Sequence, residues 1–219
     1  MPMTMAARYC IVIVFGIAFA YIEAAVVVYL RQIFHPEGFA FPLSEVWLTG
    51  PQRRLLLVEL GREAATIVLL LAGAFLFGKN HRQRFAYFMT TFAVWDIFYY
   101  IWLKVLIGWP GSIMDWDVLF LIPVLWAGPV LAPILVSIIL LGFSMVILYR
   151  DCSGRAVRAG LLEGSGFVAA GLVVVVSFCV AGRYASKVDF ASHFYWPLFG
   201  AGVTAAILLF VRCLLKRKV

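Results

Sequence analysis

Charge is scarce in this chain. Only 13% of its 219 residues are Asp, Glu, Lys or Arg, about half the share of an ordinary soluble domain, which excludes a solvated globular surface. Histidine is scarcer still, with three in all. Neither a His-Glu-x-x-His helix nor Glu-x-x-His pairs occur, so a zinc-protease site is excluded and a di-iron carboxylate site ranks low. There is no Gly-x-Ser-x-Gly nucleophile elbow. The four cysteines, Cys10, Cys152, Cys179 and Cys213, show no Cys-x-x-Cys spacing and read as packing residues. No stretch between apolar runs is long enough to build an independent core, and neither an internal repeat nor a low-complexity segment interrupts the chain.

What is abundant is apolar surface: 64% of residues are hydrophobic and the mean hydropathy is +1.00. The pattern predicts an all-α integral membrane protein, residues 1–219 forming a single polytopic membrane domain. About six transmembrane helices are expected, at 9–30, 55–78, 85–107, 126–149, 164–181 and 194–215, each long enough to cross roughly 30 Å of hydrocarbon. Ala18-Phe19-Ala20 resembles a signal-peptidase site. The apolar run continues past it to Leu30, so the first helix is read as retained. Between helices 3 and 4, Pro123, Pro129 and Pro133 break the apolar run. That segment is expected as a short element at or dipping into the membrane, covered by protein or water.

Orientation follows from the bases. With both termini cytoplasmic, eleven Lys and Arg face two acids on the inner side, while seven bases face nine acids outside. That asymmetry predicts a multi-pass plasma (inner) membrane protein. The formal net charge of +7 therefore reflects helix orientation, and nucleic acid is not expected as a partner.

The outer halves of helices 1–3 carry the remaining polarity. Glu23, Glu59, Glu63 and Asp96 lie roughly 9–16 Å below the outer surface. Glu59, Arg62, Glu63 and Thr66 share one face of helix 2, and Asp96, Tyr100 and Lys104 one stripe of helix 3. Gly16 and Ala20 beside Glu23 allow close approach of backbones. Four acids against Arg62 and Lys104 leave a deficit of positive charge, relieved by protonation or by a bound cation.

The expectation is a carboxylate-rich cation site with Glu23, Glu59, Glu63 and Asp96 as metal ligands. Tyr100, Asp115, Asp117 and His193 are placed around them. Oxygen ligands favour Mg²⁺, Mn²⁺ or Ca²⁺ over zinc. Asp96, Glu63, Arg62 and Lys104 are the candidate catalytic residues of a membrane-embedded enzyme acting on a lipid-like molecule. The alternatives are a proton- or ion-coupled transporter or channel subunit, and an accessory subunit packed against a membrane-protein partner or its own copies. Whether the chain is an enzyme stays open at this level.

Overall fold

A computed structural model describes residues 4–43 and 52–216. Glu45 and the side chains of Arg53, Arg217 and Lys218, which enter the charge balance above, lie outside the described residues. Among the described residues there are six α-helices: α1 Met5–Phe34, α2 Gln52–Phe77, α3 His81–Ile107, α4 Leu131–Cys152, α5 Leu161–Gly182 and α6 Trp196–Leu215. Five spans, counting the short turn Phe190–His193 with α6, are long and apolar enough to cross a membrane. The remaining helix, α2, carries Glu59, Arg62 and Glu63 in its first half.

The helices begin and end where local chemistry directs. Thr4 Oγ1 accepts the Ala7 N–H at the start of α1, and Asn80 accepts from Gln83 N–H at the start of α3, each satisfying an otherwise orphaned donor. Gly108 closes α3 in the left-handed region, φ 73°, which glycine enters without a Cβ penalty.

α3 is the central element, packed against α1, α2 and α4. Val12, Gly16, Ala20 and Ala24 form a buried stripe on α1. A Cβ at Gly16 would lie 2.9 Å from Val94 on α3, so the small residues do allow these two helices close contact. α5 and α6 pack on each other, and meet the rest through the second strand described below and through side chains such as the Phe143–Phe210 stack at 4.0 Å.

The proline-interrupted segment is a β-hairpin. β1 Trp116–Phe120 pairs antiparallel with β2 Trp126–Pro129, with an irregularity between Val118 and Phe120. Helix 4 therefore starts at Leu131 and not near Trp126. An apolar run of this kind fits a buried strand as well as a helix, and periodicity cannot separate the two. Pro129 ends β2, and Pro133 falls in the first turn of α4, where its missing N–H costs nothing. The hairpin is covered in part: Ala127, Gly128, Pro129 and Val130 are buried, whereas Ile122, Pro123 and Val124 at its tip are exposed. A Cβ on Gly182 of α5 would approach Leu125 O to 2.0 Å, so only glycine lets the end of α5 lie against the hairpin.

Candidate functional site

Polar side chains from α1, α2, α3 and α4 meet near the hairpin, and most are tied to one another. Arg62 reaches across from α2 to pair with Glu23 on α1 while also pairing with Glu59 one turn away, its Nε donating to Glu59 Oε2 at 2.8 Å. Thr66 Oγ1 donates to Arg62 O at 3.0 Å. Glu23, Glu59 and Arg62 thus form a three-way group, with one guanidinium between two carboxylates.

Glu63 points elsewhere. It is 6% exposed, and both of its oxygens accept the Leu121 N–H, at 3.1 and 3.0 Å. A helix-borne carboxylate thus caps a hairpin donor that the ladder leaves open, fixing α2 to the hairpin. Asp96 accepts from Ser137 Oγ of α4 at 2.8 Å and enters no ion pair among the described residues.

The most deeply buried ion pair joins α1 to β1. Arg31 Nη2 donates to Asp117 Oδ1 at 3.0 Å, with side-chain exposures of 8% and 2%. Tyr99 Oη donates to Asp117 Oδ2 at 3.2 Å, and the Val118 N–H to Oδ1 at 3.0 Å. Phe39 and Trp109 cover the guanidinium at 4.0 and 3.8 Å from the ring centroids, a cation–π arrangement strengthened by exclusion of water. Burial pushes the Asp117 carboxyl above its ordinary range, and Arg31 opposes that shift.

Three of the residues expected at the site serve other ends. Lys104 Nζ donates to Gly108 O and Pro110 O at 3.0 and 2.8 Å, completing the exposed C-terminus of α3. Asp115 accepts from the Gly111 and Ser112 N–H groups at 2.7 and 3.1 Å, closing its own loop. His193 pairs with Asp189 at 3.1 Å and stacks on Tyr184 at 3.7 Å. Tyr100 is buried beside Tyr99 and lines the same space as Asp96.

That space is a cleft of about 1210 Å³ between α3–α4 and α5–α6. Glu23, Arg62, Glu63, Asp96 and Asp117 border it towards the hairpin, and Leu140, Phe143, Phe167 and Phe210 border it further along. On α3 its lining runs from His81 and Arg82 to Tyr100, about 28 Å at 1.5 Å per residue. Acidic side chains gather at the hairpin end, apolar ones line the middle, and His81 and Arg82 lie at the far end.

No group of three or more His, Cys, Asp or Glu side chains able to hold a metal ion occurs among the described residues. Glu23 and Glu59 turn to Arg62, Glu63 to a backbone N–H and Asp96 to Ser137, so the expectation that these four acids form one ligand set draws no support from the geometry. Arg31 and Ser137 were not anticipated. Arg31 ends an apolar run and reads as an interface anchor, and its partner lies 86 residues away; Ser137 is one hydroxyl in an apolar helix whose register the sequence leaves open.

Compared with protein-family models, curated proteins and solved structures, the chain matches none.

Proposed function

We propose that this membrane protein binds a lipid-like amphiphile in the cleft, its chain along Leu140, Phe143, Phe167 and Phe210 and its polar end beside Asp96 and Glu63. The observation that carries this reading is the polarity of the cleft, in which acidic and hydroxyl-bearing side chains line the hairpin end and a long apolar stretch follows before His81 and Arg82. Its size falls just above the ordinary range of small-molecule pockets, roughly 300–1,000 Å³, as a chain-bearing ligand requires. Neither Asp96 nor Glu63 makes an ion pair among the described residues, so their carboxyl groups are open to hydrogen bonds with hydroxyl or amine groups of a ligand. The Asp96–Ser137 contact is a route for proton exchange at the cleft wall, which is where acid–base chemistry on a bound lipid would occur.

A second reading, transport of the amphiphile, is favoured by the length of the cleft. Its lining on α3 continues to His81 and Arg82 at the opposite end of the helix. Both readings share one test. Gly171 lines the cleft and a Cβ there meets no heavy atom within 4 Å, so Gly171→Trp starts from open space and should narrow the cleft. Lipid extraction and native mass spectrometry of the purified protein should find a stoichiometric amphiphile that the variant loses. Wild-type protein free of retained lipid and unable to bind any amphiphile would end the proposal, and flux assays in vesicles would separate transport from turnover.

A further inference from the structure

Arg31 Nη1, Trp95 Nε1 and Trp126 Nε1 are buried donors without an acceptor among the described residues. All three side chains line the cleft, and all three gather at the hairpin: Arg31 is paired to Asp117 on β1, Trp95 packs on Phe120 of β1 with ring centroids 6.1 Å apart, and Trp126 lies on β2. Arg31 and Trp95 are more than nine-tenths buried. A buried donor left unanswered is costly in any fold, and native structures hold few of them. Their collection around one end of one cleft points to acceptors that a ligand brings.

The charges nearby restrict what those acceptors can be. Arg31 is paired with Asp117 and Arg62 is shared by two acids, while Glu63 and Asp96 have no basic partner among the described residues, so this end offers a phosphate or carboxylate head no unpaired base among the described residues. A cationic head would answer the acids and leave both indole N–H groups as they are. Uncharged carbonyl oxygens answer the donors without needing a counter-charge. Aromatic walls formed by Trp95, Phe120 and Trp126, with Phe120 and Trp126 at 5.4 Å, suit a flat or weakly polar group better than a hydrated one.

We infer that the polar end of the ligand is an uncharged, carbonyl-bearing group, as in a chain-substituted quinone or a diacylglycerol, held by hydrogen bonds from the Trp95 and Trp126 indoles and from Arg31 Nη1. This rests on the amphiphile reading of the cleft. The probes are a decyl-substituted benzoquinone, 1,2-dioctanoylglycerol, decyltrimethylammonium and decyl phosphate, added to full-length protein in maltoside micelles, which contain no carbonyl. Binding is read by titration calorimetry and thermal shift.

At least one carbonyl probe should bind, and which of the two does so identifies the source of the chemistry. Trp95→Phe and Trp126→Phe keep a ring and remove one donor, so each should weaken that probe roughly 2- to 12-fold, the range of one neutral hydrogen bond. Because the deleted N–H has no acceptor in the unliganded protein, neither variant should lower the unliganded melting temperature as a packing defect would. Preference for the ammonium or phosphate probe, or carbonyl binding unchanged in both variants, overturns the inference while leaving the cleft as an amphiphile site. If no probe binds wild type, the amphiphile reading falls with it.

Discussion

Replacing Arg31 with Met should unfasten the outermost contact between α1 and the hairpin. Asp117, 2% exposed, would keep only the Tyr99 hydroxyl and the Val118 N–H as donors. Removing one member of a buried ion pair costs roughly 3–5 kcal/mol, because the other charge stays behind uncompensated. At about 2–4 °C per kcal/mol for a chain of this size, the melting midpoint should fall by roughly 6–20 °C. Loss of the stacking on Phe39 and Trp109 acts in the same direction. The double variant Arg31→Met/Asp117→Asn leaves no stranded charge and should recover more than half of the loss.

The deficit of Arg31→Met should also depend on pH. Burial already raises the Asp117 pKa, and without Arg31 it rises further above its unfolded value near 3.9. A carboxyl with a raised folded pKa favours the fold below the unfolded pKa, and that contribution is lost as pH rises through the folded one. The gap between variant and wild type should therefore close near pH 4 and widen toward neutrality. Thermal unfolding followed by circular dichroism in detergent measures both effects. A midpoint within 2 °C of wild type at pH 7, or a gap that widens on acidification, would refute the account of Arg31 and Asp117 as a desolvated pair.

Other contacts lead to further expectations. Arg62→Met should destabilise by several kcal/mol, since Glu23 and Glu59 both lose their base, whereas Arg62→Met combined with Glu23→Gln and Glu59→Gln should be far milder; equal melting of the single and triple variants would contradict a shared network. Asp151 accepts from Asn80, Arg82 and Gln83 at 3.0, 2.9 and 2.8 Å, so Asp151→Ala should cost about 1–3 kcal/mol in chemical unfolding. Reporter fusions after Gly78, Ile107, Arg158 and Val219 should place only the second outside the cytoplasm, and cytoplasmic activity after Ile107 would reverse the orientation proposed from the bases. Melting chelator-treated protein with and without Mg²⁺, Mn²⁺ or Ca²⁺ tests the divalent site; a rise abolished by Glu63→Gln and Asp96→Asn would reinstate it.

Much of the helical frame was legible before folding because lipid imposes length and polarity on each span independently of its neighbours. α3 and α5 begin and end within a few residues of their expected bounds, and the small residues of α1 marked its contact face. The face shared by Glu59, Arg62, Glu63 and Thr66 follows from their spacing, but which acids Arg62 takes does not.

The hairpin was not legible, since alternation and continuous hydrophobicity give the same apolar run when both faces of a strand are covered by protein. Its effect reached the site: by offering the Leu121 N–H it took Glu63 out of the expected cation cluster, and by carrying Asp117 inward it turned Arg31 from an anchor into a buried partner. Sequence by itself determined the helical segments and their polarity, because these depend on each segment's own composition. Tertiary structure decided which acid met which donor, because Arg31 and Asp117, or Asp96 and Ser137, become neighbours only after separate elements have packed, and hydrogen bonds act over distances far shorter than the uncertainty of that packing.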